Sequence, residues 1–424
     1  MSDGSPAPTH AGRSPIARLD RAEGPKTAAK ATFGFVALMA SLGAINAFST
    51  DIVIPALGAI AAEFALDDPN QRQWVLLTVF VGVAISQLFI GPIADRYGRR
   101  PAAAINIATF IAGTLIALFA PSFTVLLLGR LLQGLGAGGL RVISMSVTRD
   151  RFSGDEMARV MSLSSGVFVI MILLAPAVGQ AVISVLDWRW VFAVLLAQAA
   201  ITAAWFFGAQ PETLRPEHRR PLSFRGVAET FLEVVGNRVC MGYALALSCV
   251  FGSFVSYLAT SQQILEDIYG LGALLPVAFG ALAVVNGLGS FGNARIVRRV
   301  GARRMARWAL IATAASGLIG ALGFAVAYDG VPPLWMHLTW AAIPVAAFAV
   351  LYGNLAAIAL EPMGARAGAA SAVVAALGSG AGVVFATVAG GLFDGTVVPL
   401  YLTFGLAGVA GYVSIRTLGR EVTA

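Results

Sequence analysis

Twelve apolar stretches dominate the chain, each long enough to cross a hydrocarbon layer about 30 Å thick, which takes roughly 20 helical residues. They run near 32 to 60, 73 to 93, 102 to 120, 124 to 148, 158 to 184 and 189 to 208, then near 240 to 263, 273 to 293, 304 to 327, 334 to 358, 368 to 392 and 397 to 417. Only 12% of residues are charged and mean hydropathy is +0.79, whereas a soluble domain carries about a quarter charged residues. Inside lipid every backbone N–H and C=O must find its partner within the protein, so stretches of this length are expected to be helices.

The positive charges test the count of twelve, because short cytoplasmic loops retain Lys and Arg. With the N-terminus inside, the inner segments hold Arg13 to Lys30, then Arg96, Arg99 and Arg100, then Arg149, Arg151 and Arg159. They continue with Arg215 to Arg238, Arg295 to Arg307, Arg366, Arg416 and Arg420, while Arg72 and Arg189 alone fall outside and Arg130 and Arg141 lie within the membrane. An odd number of spans would scramble this order, so both termini are expected in the cytoplasm. The same distribution explains a pI near 9.8 without any nucleic-acid partner.

Residues 1–30 are rich in Ser, Pro, Ala and Arg and lack a signal-peptide core, which reads as a disordered cytoplasmic tail. A bundle over 31–209, a polar cytoplasmic linker over 210–238 with Pro211, Pro216 and Pro221, a second bundle over 239–418 and a short tail over 419–424 complete the expected organisation. Cys240 and Cys249 lie on one segment facing different sides, and His10, His218 and His337 are scattered, so neither a disulfide nor a metal site is expected.

The run Gly91-Pro92-Ile93-Ala94-Asp95-Arg96-Tyr97-Gly98-Arg99-Arg100-Pro101 places four charges and a glycine turn between the second and third stretches. A degraded copy, Arg298-Arg299-Val300-Gly301-Ala302-Arg303-Arg304, follows about 200 residues later and indicates two related halves. The first run resembles the signature loop of major facilitator superfamily transporters. That resemblance implies an all-α membrane protein with twelve transmembrane helices in two pseudo-symmetric six-helix bundles, which moves a solute rather than transforming one. It also implies a conformational latch formed by Gly91, Asp95, Arg96, Gly98, Arg99 and Arg100, with Asp95 and Arg99 holding the cytoplasmic ends of the two bundles together in one state. A basic loop that merely fixes topology is the plainer alternative.

Asp51 is the only acid deep within an expected span, and an intramembrane carboxylate is costly and usually functional. Its setting, Ser49-Thr50-Asp51-Ile52-Val53-Ile54-Pro55, resembles the first helix of the Bcr/CflA drug/proton antiporters, so Asp51 is expected to carry a proton; a bond to Thr50 or a neighbouring helix is the structural alternative. Gly129-Arg130-Leu131-Leu132-Gln133-Gly134 resembles the motif that carries the superfamily's membrane arginine. At 1.5 Å per residue Arg130 lies about 13 Å below Pro121 and Asp51 about 18 Å below Glu63, at roughly one depth. Burial disfavours a charged Asp51 and a nearby guanidinium favours it, so Arg130 could tune proton binding; it could equally be a hydrogen-bond hub for carbonyls and Gln133.

Arg141 sits three turns further along the same face, about 16 Å from Arg130. Pro176 and Gly179 keep part of the subfamily's antiporter motif, with Ala175 and Gln180 replacing its outer glycines. Candidate cavity residues are Gln133, Arg141, Ser253, Tyr257, Asn286, Asn354 and Phe385, with Phe251, Phe254 and Phe348 as an adaptable apolar wall. The expectation is a monomeric, proton-coupled exporter of amphipathic drugs or antibiotics in the bacterial inner membrane. Its partners would be a small-molecule substrate, protons and the lipid bilayer, with no cofactor. Export of a sugar, nucleoside or other metabolite on the same fold is the first alternative, and a non-transporting sensor the second.

Overall fold

The computed structural model describes residues 31–219 and 224–419. The N-terminal tail 1–30, linker positions 220–223 with Arg220 and Pro221, and the end of the chain from Arg420 lie outside the described residues.

The first part of the chain forms α1 (Phe33–Asp51), α2 (Leu57–Glu63), α3 (Trp74–Tyr97), α4 (Arg99–Leu118), α5 (Phe123–Arg151), α6 (Gly154–Ile183) and α7 (Arg189–Ala209). The second forms α8 (Phe224–Gly236), α9 (Arg238–Gln262), α10 (Leu275–Val300), α11 (Ala302–Tyr328), α12 (Leu334–Leu360), α13 (Ala367–Gly391) and α14 (Val398–Thr417). Eleven helical segments among the described residues are long and apolar enough to cross a membrane, α1 and α2 counting as one. With the 30-residue α6, they are consistent with the twelve expected spans. Large apolar side chains such as Leu322, Val326, Val277 and Leu288 are exposed on their outer surfaces, where lipid rather than water is the compatible neighbour.

Helices α1 to α7 pack mainly on one another, and α9 to α14 likewise; α3 against α13 and α6 against α10 make the principal contacts between the two groups. Within the first group α5 is central. A Cβ on Gly134 would lie 2.1 Å from the Val79 carbonyl oxygen and one on Gly136 2.4 Å from the Phe110 nitrogen, so small residues let α3 and α4 approach its backbone closely.

Two turns show the internal repeat as geometry. Gly98, between α3 and α4, has φ 109°, and Gly301, between α10 and α11, has φ 89°. Side-chain-bearing residues avoid that region, so both halves turn at the same place by the same device. The end of the molecule holding Gly98 is called the loop side below, and the opposite end the far side.

The polar bonds that join the two groups gather at the far side. Arg72 pairs with Asp267, Gln73 Nε2 donates to Gln263 Oε1 at 2.5 Å, and Gln263 Nε2 donates to Asn70 Oδ1 at 2.7 Å. Asn70 Nδ2 donates to the Phe393 carbonyl at 3.2 Å. Nearer the loop side, Ser379 Oγ donates to Gln87 Oε1 at 3.3 Å. The far side is therefore the closed end of this conformation.

Candidate transport site

Pro55 lacks an N–H, and its ring would collide with the carbonyl four residues earlier, which is that of Asp51. The α-helical ladder accordingly stops at Asp51, and a 3-10 turn over Ile54–Ala56 leads into α2. Just before the break, Ser49 Oγ and Thr50 Oγ1 both donate back to the Asn46 carbonyl, at 2.8 and 3.0 Å, a pattern that bends helices. The Thr50 hydroxyl thus donates to the Asn46 carbonyl, and among the described residues no bond joins it to Asp51. The Asp51 side chain is only 8% exposed, and it has no hydrogen bond or ion pair among the described residues.

Gly179 of α6 fits against this break. A Cβ there would lie 2.1 Å from the Ile52 carbonyl oxygen, so only the bare glycine lets α6 reach the residue next to Asp51. Pro176, one turn earlier, is also buried. From the second group, α9 touches the Ile54–Ala56 turn. Its Tyr257 lies within electrostatic range of Asp51, with a buried hydroxyl that has no hydrogen-bond partner among the described residues.

Arg130 is fully buried. Its Nε donates to the Val75 carbonyl at 2.8 Å, and its Nη1 donates to the Ser49 carbonyl at 3.1 Å and to Gln133 Oε1 at 2.8 Å. Gln133 Nε2 in turn donates to Thr114 Oγ1 at 2.8 Å. The guanidinium carbon lies 5.8 Å from the Phe192 ring centre. Arg130 thus ties α5 to α1 and α3, and Gln133 extends the tie to α4. Among the described residues no ion pair joins it to Asp51; the two are neighbours through the backbone of Ser49, two residues before the acid. Its Nη2 is buried without a partner among the described residues.

The remaining cavity candidates separate. Phe254 and Phe348 stack with centroids 4.0 Å apart, and Phe251 contacts Phe348, Tyr352 and, across the two groups, Phe80. Phe385 lies against Gly252, and Ser253 donates back to the Val250 carbonyl at 2.8 Å. Asn286 Nδ2 donates to the Val345 carbonyl at 3.1 Å and Asn354 Nδ2 to Asn293 Oδ1 at 2.9 Å, so these two stitch α10 to α12. Arg141 is exposed on α5 beside Gly43 of α1.

At the loop side, Arg99 Nη1 donates to Asp95 Oδ1 at 2.6 Å and its Nε to Asp150 Oδ2 at 3.0 Å. These bonds stay within the first group; in this conformation they do not cross to the second. Arg96 is exposed, and a Cβ on Gly91 would meet nothing within 4 Å.

Sequence reasoning passed over Glu212, which the structure places at the start of α4. Its carboxylate accepts from the Arg99 and Arg100 backbone amides, both at 2.9 Å, and from Leu214 N at 2.9 Å. The bare Cα of Gly98 admits it, since a Cβ there would sit 2.5 Å from Glu212 Oε2. Burial alone would raise this carboxyl, but the backbone amides of Leu214, Arg100, Arg99 and Thr213 outweigh it and hold the group below the ordinary glutamate range. Thr213 Oγ1 donates to Asp150 Oδ2 at 3.0 Å, Arg151 Nη1 donates to Gln210 Oε1 at 2.8 Å, and Arg100 donates to the Gln210 carbonyl. The first residues of the linker are thereby fastened to the signature loop.

The two arginines that break the positive-charge pattern both have acid partners at the far side. Arg72 pairs with Asp267, and Arg189 with Glu63 at 2.6 Å, while Trp188 Nε1 also donates to Glu63 at 2.5 Å. Their status as exceptions was the available signal that each needs an acid nearby.

Known proteins resemble the chain as a whole. A family profile described as Major Facilitator Superfamily matches residues 39–387. A bicyclomycin resistance protein homolog of Haemophilus influenzae is 30% identical over 399 residues, 89% of this chain and 94% of that one. The multidrug resistance protein MdtM of Escherichia coli K12 is 26% identical over 246 residues, 57% of this chain and 59% of that one. Among solved structures, the xylose transporter XylE of E. coli superposes with a TM-score of 0.72 at 15% identity, covering 92% of this chain and 98% of that one, a likeness of fold. The resemblance read from the signature loop and the Asp51 and Arg130 segments is borne out, and the chain is a transporter rather than an enzyme: it belongs to the Major Facilitator Superfamily.

Proposed function

We propose that the protein exports amphipathic, drug-like compounds in exchange for protons by alternating access, as a monomer in a bacterial plasma membrane with both termini cytoplasmic. Relatives named for bicyclomycin and multidrug resistance support the cargo class. The arginines gathered at the loop side, set against acid-paired arginines at the far side, support a cytoplasmic loop side.

The observation that carries the reading is Asp51, a carboxyl buried at a break between α1 and α2 with no cation bonded to it among the described residues, at the meeting of both groups of helices. A proton bound there converts the carboxylate to a neutral acid. Loss of that proton creates a charge that Arg130, anchored to Ser49 two residues away, or a cationic substrate can offset. Each step pairs a change of charge with a choice of open side. Inward proton flow then drives outward movement of substrate, and contacts from Asp95 and Arg99 to the second group at the loop side would alternate with the far-side bonds as the closed ends.

Everted vesicles test it. Asp51→Asn should remain in the membrane yet lose efflux driven by a pH gradient; pH-dependent efflux at the normal rate in that variant would remove Asp51 from the role.

A further inference from the structure

Helix α8, within the stretch expected to be a polar linker, carries three separate stripes. Val227, Thr230 and Val234 form one; Thr230 and Val234 are 8% and 0% exposed, and α8 packs on α9, α13 and α3. Arg225, Glu229 and Glu233 form the second. It is tied by an Arg225–Glu229 pair at 2.9 Å and an Arg366–Glu233 pair at 2.5 Å.

The third stripe is Ala228, Phe231, Leu232 and Val235, spaced i, i+3, i+4, i+7 and spanning about 100° of the helix at 100° per residue. It points away from the protein, with Phe231, Leu232 and Val235 exposed by 39, 67 and 44%.

We infer that α8 is an interfacial helix whose Ala228/Phe231/Leu232/Val235 stripe is seated in the acyl region of the loop-side leaflet, with Arg225 on lipid phosphate. Two features of the structure select lipid as the occupant. A single residue, Asn237, separates α8 from the membrane-spanning α9, whose first turn it caps by accepting from Cys240 N at 2.9 Å, so α8 is held at the level where α9 enters the bilayer. Exposed arginines at the stripe's border and at both ends of the helix, beside Glu229 and Glu233, also suit an anionic headgroup layer. Arg225 borders the apolar stripe with its side chain 89% exposed, and the exposed Arg219 and Arg238 flank the helix. Long basic side chains at such a boundary lay their stems along apolar surface and reach phosphate with their heads. Protein, lipid and water thus each have one stripe, and the seat does not depend on which compound is transported.

Site-directed spin labelling in nanodiscs of phosphatidylethanolamine and phosphatidylglycerol tests this in the full chain carrying Cys240→Ala and Cys249→Ala. Labels at Leu232→Cys and Val235→Cys should collide preferentially with oxygen, a label at Glu229→Cys with a water-soluble nickel chelate, and a label at Val234→Cys with neither. Chelate access at Leu232 would place the stripe in water, and exclusion of both reagents there would mean that a second protein surface covers it; either result overturns the inference. A photoactivatable phosphatidylglycerol applied to the unaltered chain gives an independent reading. Adducts are expected on the peptide from Gly226 to Arg238, and their absence there while other lipid-facing helices are labelled would also overturn it.

Discussion

Adding one methyl group at Gly179 should separate the α6 packing from the carrier's other properties. The Cβ of Gly179→Ala would sit 2.1 Å from the Ile52 carbonyl oxygen, about 1 Å short of the 3.0 Å that such contacts need. That oxygen belongs to backbone, so either α6 retreats or the turn after Asp51 is displaced. Overpacking of this kind costs about 1–3 kcal/mol, while alanine in place of a helical glycine returns about 1 kcal/mol. The net destabilisation, up to about 2 kcal/mol, would deplete the close-packed arrangement by as much as roughly thirty-fold. Gly166 on the same helix provides the control, because a Cβ there meets nothing within 4 Å. Gly166→Ala should raise the thermal midpoint in detergent slightly and leave pH-driven efflux in everted vesicles unchanged. Gly179→Ala should lower the midpoint and slow efflux several-fold. If both alanine variants are equally stable and transport at the parent rate, the contact between α6 and the Asp51 break has no part in the cycle.

Two further predictions concern the ends of the molecule. Because the Glu212 carboxyl is held below the ordinary range, its contribution to linker docking is fully present above the unfolded glutamate value and is lost as pH falls through the lowered folded one. Protection of the Arg99 and Arg100 amides from hydrogen exchange, taken relative to an unstructured amide at the same pH, should therefore be high at neutral pH and fall on acidification; Glu212→Gln should be poorly protected throughout, and a parent-like pH profile of protection in that variant would refute the capping role. At the far side, Asp267→Asn removes the counter-charge of the buried Arg72 at a cost of about 1–3 kcal/mol. Spin-label distances between the exposed positions 67 and 392 should lengthen in that variant and recover in the exchanged pair Arg72→Asp with Asp267→Arg, whereas unchanged distances would show that the pair does not hold the far side closed.

The amino-acid sequence by itself determined the features that depend on a residue's immediate neighbours or on its depth in the bilayer. The apolar stretches follow from length alone, the turns at Gly98 and Gly301 from charge and glycine placement, and the break at Asp51 from a proline four residues ahead. What the tertiary structure decided is which distant groups meet. Arg130 and Asp51 were placed at one depth by counting residues, but only helix rotation fixes that the guanidinium grips the carbonyls of Ser49 and Val75 rather than the carboxylate. Asn286 and Asn354, candidates for the cavity, each bond across to the other's helix, because an amide in hydrocarbon is satisfied by whichever partner the neighbouring helix offers. Glu212 has no local pattern to mark it; the partners that fix it at the signature loop are the backbone amides of Arg99 and Arg100, more than 100 residues away. The outward stripe of α8 was hidden in a segment short enough and charged enough to read as a loop, and it became visible once the packing of Val227, Thr230 and Val234 showed which face the protein does not cover.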